Sequence, residues 1–247
     1  MKTMLITGAS RGIGAATALL AAEQGFAVVV NYHKNKQAAE EVVNKIQAMG
    51  GKAAAIHADI SEEKEIIRLY KEIDEIFGDL HVLVNNAGIL EQQSRLETMD
   101  ASRLTRIFAI NVTGQMICAR EAIKRMSFKY GGKGGSIVNV SSLASKTGSP
   151  NEYIDYATSK GAIDSFTKGL SKEIAEEGIR VNGVRPAFIY TDIHADGGEA
   201  DRVDRIKNNI PMKRGGTPEE VAEAIMWLAS EKSSYSTGTF IDVTGGR

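Results

Sequence analysis

The stretch Met4-Leu5-Ile6-Thr7-Gly8-Ala9-Ser10-Arg11-Gly12-Ile13-Gly14, running on through the alanine-rich Ala15 to Gln24 and stopped by Gly25, decides the fold. Three apolar residues read as a strand, the glycines as a turn, and the alanine-rich run as a helix with Gly25 at its C-terminus. The next run, Phe26-Ala27-Val28-Val29-Val30, is apolar at every position instead of alternating. That pattern suits a parallel strand covered on both faces. Outward from this unit the cycle repeats. Lys36 to Met49 reads as a helix ending at Gly50-Gly51, Ala53 to His57 as a strand, and Ser61 to Phe77 as a helix with Ser61 as N-cap and Gly78 as its stop. His81 to Val84, Ser136 to Val140 and Ile179 to Val184 read as strands. One long helix is expected from Asp100 to about Tyr130, and others at Tyr153 to Glu177 and Pro218 to Ser230, before a last strand near Thr239 to Val243. All four prolines (Pro150, Pro186, Pro211, Pro218) fall in expected loops or at a helix start. Strands alternating with helices imply an α/β fold with a doubly wound, mostly parallel sheet, because parallel neighbours need crossover connections.

The 247 residues contain no repeat, linker or low-complexity tract, so one domain spanning 1–247 is expected. The charged, glycine-containing stretch 189–216 is the least regular and reads as a mobile substrate lid. With 30 Lys+Arg against 31 Asp+Glu, the formal net charge of −1 gives no basic field for nucleic acid. The single cysteine, Cys118, excludes a disulfide framework and a multi-cysteine metal site, and reads as a core residue. His33, His57, His81 and His194 are scattered, and no metal site is expected. No stretch approaches 18 apolar residues and no secretory leader is evident, so a cytoplasmic protein without a membrane span is expected.

Gly8, Gly12 and Gly14 lie where a strand feeds a helix. Glycines there permit a tight turn, let backbone approach a pyrophosphate, and leave N–H groups free at a helix N-terminus. Gly8, Ser10, Arg11, Gly12, Ile13 and Gly14 are therefore candidates for holding a dinucleotide. The spacing departs from G-x-G-x-x-G, so position carries the reading more than pattern. The second strand runs into Asn31-Tyr32-His33-Lys34. A carboxylate that would bind the ribose 2′-hydroxyl of NAD is missing there. Arg11 and Lys34 could instead meet a 2′-phosphate, which favours NADP with NAD left open. As solvated surface cations they would say nothing.

Tyr156-Ala157-Thr158-Ser159-Lys160 puts a phenol and an ammonium four residues apart on one helical face. A phenol of pKa near 10 is a poor acid or base at neutral pH, and a nearby cation stabilises its phenolate. The pattern is loose: Tyr32 and Lys36 repeat it, by accident at a helix start. Tyr156 differs because Ser141 and Ser142 end the preceding strand, at the edge where doubly wound sheets bind ligands.

Together these residues resemble the short-chain dehydrogenase/reductase family in its single-domain, Rossmann-like form, over essentially the whole chain. Thr7-Gly8-x-x-x-Gly12-x-Gly14 is similar to the family's cofactor turn, and Asn85-Asn86-Ala87-Gly88 to its Asn-Asn-Ala-Gly motif. Asp59 resembles the residue that meets adenine. Asn111, Ser142, Tyr156 and Lys160 fall where the family's Asn-Ser-Tyr-Lys tetrad is expected. Pro186, Ile189 and Thr191 lie in a segment similar to the one beside the nicotinamide, with Ala187 where glycine is most frequent. The resemblance implies that Tyr156 is the general acid or base, that Lys160 also binds the nicotinamide ribose, that Ser142 orients the substrate oxygen, and that Asn111 holds a water of the proton relay. Asn31, Asn86, Ala87 and Gly88 would line the cofactor site, with Asn86 bridging neighbouring strands. Ser141 and Ser145 remain rivals of Ser142.

The expected function is hydride transfer between NADP(H) and a small carbonyl or alcohol substrate, a sugar or other polar alcohol being favoured. The alternatives are a 3-oxoacyl-carrier-protein reductase-like activity, docked through Lys124, Arg125, Lys129 and Lys133, or a non-catalytic NADP-sensing scaffold. The family also implies a homotetramer with the C-terminal strand near a subunit interface. Trp227 reads as packing, and His194 as a solvent-facing residue or a contact for a substrate hydroxyl.

Overall fold

The computed structural model describes residues 1–247. Seven strands form one sheet: β1 (Thr3–Ile6), β2 (Ala27–Tyr32), β3 (Ala53–His57), β4 (Val82–Asn85), β5 (Gly135–Val140), β6 (Ile179–Pro186) and β7 (Phe240–Val243). Their order is β3-β2-β1-β4-β5-β6-β7 and every neighbouring pair is parallel. The order reverses between β1 and β4, where crevices open at the carboxyl ends of the strands. The expected α/β doubly wound sheet is therefore present, with its switch point beside the glycine turn.

Helices cover both faces. On one side α1 (Gly12–Glu23), α2 (Lys36–Ala48) and α10 (Pro218–Ala229) bury Ala18, Ala21, Ile46, Val221 and Ile225 against Met4, Ile6, Val28 and Val30. On the other, α3 (Glu63–Phe77), α5 (Gln115–Met126) and α7 (Ile154–Glu173) meet Leu5, Val29, Leu83 and Ile137 through Ile66, Leu69, Cys118, Ala122 and Leu170. The continuous apolar runs of β1 and β2 thus serve two cores. Cys118 is fully buried, as its apolar surroundings imply. α10 begins with a reciprocal cap in which Thr217 and Glu220 each satisfy the other's backbone N–H.

Several local expectations change. The long helix is three segments: α4 (Ala101–Phe108), a π-helical turn (Ala109–Gly114) and α5. Gly114 lets this turn press on the β3–α3 connection, since a Cβ there would lie 2.1 Å from the Ile60 carbonyl oxygen. Ser61 does not cap α3; its N–H and hydroxyl both bond Asp59, and Glu62 takes the cap position. Trp227 is not interior packing but 41% exposed on α10. Residues 189–216 are more regular than expected: they hold α8 (Ile193–Asp196) and α9 (Arg202–Ile206), and a parallel bridge joins Ile189 to Gly216. A four-residue helix, α6 (Ala144–Thr147), follows β5. The last strand completes the chain's own sheet by pairing with β6, and its outer side remains the sheet edge.

Candidate active site

A cavity of about 1240 Å³ runs along the carboxyl edge of the sheet, from the glycine turn to the start of α7. It exceeds the usual volume for one small ligand and has room for a dinucleotide beside a substrate. Of the expected catalytic and cofactor-binding residues, all but Asn111 and Gly14 line it; of the rival serines Ser141 does and Ser145 does not.

At one end, Gly8 and Gly12 take φ of +62° and +56°, values open to glycine at little cost. Arg11 precedes α1 in extended conformation with no side-chain bond to the first turn, and no acidic residue occupies that turn. The N–H groups of the first turn therefore face the cavity without a protein cap, which fits the phosphates of a dinucleotide. Asn31 lies beneath the turn: its Oδ1 accepts from Gly8 N at 3.2 Å, and its amide donates to the Ile56 and Ala58 carbonyls. Asn86 donates to the Thr7 and Gly8 carbonyls at 2.9 and 3.0 Å, so it bridges β1 and β4 as expected. Gly14 acts through closeness rather than contact, since a Cβ there would stand 2.5 Å from the Gly8 carbonyl oxygen. Asp59 is occupied by Ser61 and lies 3.4 Å from His33. Past β2 the cavity is lined by His33, Lys34 and Asn35, without a carboxylate. Arg11 is engaged by Asp192 and Asp196 of the 189–216 segment, whereas Lys34 has no ion-pair partner.

At the other end, α7 presents Tyr156 and Lys160. The ammonium lies 5.5 Å from the centre of the phenol ring and donates to the Val140 carbonyl at 2.8 Å. Burial drives Lys160 down to about 8, against the pull of Asp164. Burial also raises Tyr156, while the Ser142 hydroxyl and the charge of Arg202 draw it back. Among the three serines the geometry discriminates. Ser141 Oγ turns inward to Asp164 at 2.6 Å and to the Lys160 carbonyl. Ser145 Oγ bonds the Ser142 carbonyl. Ser142 alone stands beside the phenol. Ala187 is not in the left-handed region, and its N–H donates to the Val243 carbonyl, so glycine is not required there.

Asn111, expected to hold a water of the proton relay, commits its side chain to the protein itself. Its Oδ1 accepts from Ile89 N at 2.8 Å, and its amide donates to the Ile89 carbonyl and to Ser159 Oγ. With both functions used, the side chain pins the loop after β4 to the π-helical turn, and that widened turn is what aims it. Gly88 lies between: a Cβ there would be 3.3 Å from Asn111 Oδ1 and 3.5 Å from Lys160 Nζ.

Arg202, in a charged segment that reads from sequence as a solvated helix face, is instead buried, and His194 is not solvent-facing, which leaves its reading as a contact for a substrate hydroxyl. Both line the cavity, Arg202 from α9 and His194 from α8. The charges of Arg202 and its neighbour Glu152 were visible in the sequence, but their meeting was not. Of the four cations in the supposed basic patch, Lys124 pairs with Glu121, Arg125 with Asp74 and Lys133 with Asp79, while Lys129 lies over the Tyr130 ring.

A family model described as enoyl-(acyl carrier protein) reductase matches residues 8–247. The chain is 58% identical over all 247 residues of both chains to an oxidoreductase of Escherichia coli (strain K12), YgfF, named as uncharacterized. It is 38% identical to glucose 1-dehydrogenase 2 of Bacillus subtilis (strain 168), covering 99% of this chain and 94% of that one. Identity to a 3-oxoacyl-[acyl-carrier-protein] reductase of Synechocystis is 40%, covering 98% and 95%. The crystal structure of a short-chain type dehydrogenase/reductase from Mycobacterium marinum superposes with a TM-score of 0.92 at 35% identity, over 99% of this chain and 94% of that one.

Proposed function

The chain belongs to the short-chain dehydrogenase/reductase family and is an NAD(P)-dependent oxidoreductase, and on that footing we propose that it uses NADP(H) to interconvert the carbonyl and alcohol forms of a small polar substrate. The observation that carries this reading is Tyr156 and Lys160 on one face of α7, with Ser142 beside the phenol, in a cavity continuous with the glycine turn.

The turn residues Gly8, Ser10, Arg11, Gly12 and Ile13 would hold the pyrophosphate, with Gly14 letting the turn close on itself; Asn31, Asp59, Asn86, Ala87 and Gly88 would wall the adenosine side, and Pro186, Ile189 and Thr191 the nicotinamide side. When bound, that group supplies the hydride. The protein's part is proton transfer and placement. Tyr156 gives its phenolic proton to the substrate oxygen in reduction and takes it back in oxidation. Ser142 holds that oxygen, and the Lys160 ammonium stabilises the phenolate. Asn111 keeps the Gly88-Ile89 backbone against Lys160. The 189–216 segment, tied to Arg11 through Asp192 and Asp196, serves as the lid of a single 1–247 domain.

Lys34 and the lack of an acid after β2 support the 2′-phosphate. NADPH is expected to bind at least tenfold more tightly than NADH, and Lys34→Ala to narrow the gap, since charge-assisted bonds contribute about 1.5–3 kcal/mol. Arg11→Ala should narrow it less, its guanidinium already being shared with two carboxylates. Equal dissociation constants in the unmodified protein would refute the assignment.

The names of relatives also support a 3-oxoacyl-carrier-protein substrate, but pairing of Lys124, Arg125 and Lys133 with carboxylates weakens the surface argument for it. No helix is long and apolar enough to cross a membrane, and a cytoplasmic homotetramer is proposed from the family. Light scattering at micromolar concentration should find a particle of several chain masses, and a mass of one chain would refute the assembly.

A further inference from the structure

Arg202 opens α9, is 7% exposed, and lines the substrate end of the cavity together with Tyr153, Tyr156, Phe188 and His194. Its guanidinium carbon lies 4.6 Å from the Tyr153 ring centre and 5.5 Å from that of Phe188. One terminal nitrogen donates to Glu152. The Nε–H is buried with no hydrogen-bond partner. Arg247, which pairs with no carboxylate, lies 4.9 Å from the centre of the same Phe188 ring. His194 donates through Nε2 to the Ile189 carbonyl if its proton sits there, which leaves the buried Nδ1 without a partner.

A guanidinium needed only to latch Glu152 has no reason to hide its Nε–H, because an unpaired buried donor is costly. Two aromatic rings fix the plane of this one in advance, and a planar fork of donors matches a carboxylate or phosphate better than a neutral hydroxyl. Arg202 lines the same cavity as Tyr156 and Ser142, so an anion it holds there belongs to the molecule whose oxygen meets them. Glu152 takes only one terminal nitrogen and leaves the Nε–H unused, so the guanidinium keeps a donor for a second anion.

We propose that the substrate is an oxo or hydroxy compound bearing a carboxylate or phosphate group, and that Arg202 selects for that charge. The proposal rests on the oxidoreductase reading above and sharpens it. Neutral sugars and neutral acyl thioesters are both disfavoured by it. His194 Nδ1 offers an acceptor for a further hydroxyl on the same molecule.

Matched pairs test it. Acetoacetate against methyl acetoacetate, and dihydroxyacetone phosphate against dihydroxyacetone, are assayed by NADPH oxidation. The charged member of at least one pair is expected to lead in kcat/KM by tenfold or more, and the leading pair distinguishes carboxylate from phosphate. Arg202→Gln should shrink that lead by about ten- to a hundredfold, chiefly through KM, and Arg202→Lys, which keeps the charge but not the fork, should retain only part of it. Neutral members turning over as well as or better than charged ones would overturn the proposal. A second arm needs no turnover: the protein–NADP⁺ complex is titrated calorimetrically with malonate and with inorganic phosphate. Binding that Arg202→Gln weakens tenfold or more, with Arg202→Lys intermediate, supports the anion site even if every carbonyl fails as substrate, which would count against the oxidoreductase reading alone. Absence of binding, or equal affinity in unmodified protein and both variants, overturns the proposal.

Discussion

Tyr156→Phe is expected to lower kcat for carbonyl reduction by about 10²–10⁴-fold, the span that a positioned general acid contributes. The substitution removes one oxygen and keeps the ring, so packing at the start of α7 and cofactor affinity should be nearly intact. Stopped turnover with retained NADPH binding separates a proton donor from a residue that merely shapes the cavity. The measurement is absorbance at 340 nm for turnover and fluorescence titration for binding. A kcat near that of the unmodified protein would sink the assignment of Tyr156. In the unmodified protein the pH profile should carry a companion signature. With Lys160 at about 8, its ammonium is lost as pH rises through that value, and reduction should decline there.

Gly14→Ala should be the most damaging single-methyl change in the cofactor half. Alanine is favoured over glycine in a helix interior by about 0.8–1.0 kcal/mol, so propensity alone forecasts a gain. Space overrules it: the added Cβ would stand 2.5 Å from the Gly8 carbonyl oxygen, 2.6 Å from Asn86 Nδ2 and 2.9 Å from Ala9 Cα. Two of these are backbone atoms of the turn itself, so relief requires moving the donors that meet the pyrophosphate. Overpacking of this kind costs about 1–3 kcal/mol. At about 2–4 °C per kcal/mol for a chain of this size, the melting temperature should fall by roughly 2–12 °C. Displacing positioning groups by about 1 Å can cost about 10²-fold in rate, and a loss of that order in kcat/KM is expected. Gly169→Ala is the control: this helical glycine of α7 has nothing within 4 Å of the added Cβ and should gain up to about 1 kcal/mol. A Gly14→Ala protein as stable and active as the control would refute the close-packing argument.

The contrast between these two glycines marks how far a sequence can be read. Both sit in stretches of helical pattern, and propensity treats them alike. What separates them is a carbonyl oxygen six residues earlier in the chain and an amide seventy-two residues later, brought together by the turn. Ser141, Ser142 and Ser145 repeat the lesson. Their order along the chain left all three eligible, and the choice depends on Asp164 drawing Ser141 inward and on Ser142 alone standing beside the phenol.

By itself the sequence determined the alternation of strands and helices, the parallel sheet, the glycine turn and the Tyr156–Lys160 pair. Each is written in neighbours a few residues apart: apolar runs without alternation, glycines between strand and helix, a spacing of four along a helix. Only the tertiary structure decided that Asn111 spends its side chain on Ile89, that Arg11 answers to Asp192 and Asp196, and that Arg202 lies buried against Tyr153 with one donor unpaired. These depend on partners between 22 and 185 residues away. Local backbone preference carries no information about such distances. They are set when the two cores close on the sheet and the 189–216 segment folds back over its carboxyl edge, where burial makes every unpaired polar group costly enough to dictate what it meets.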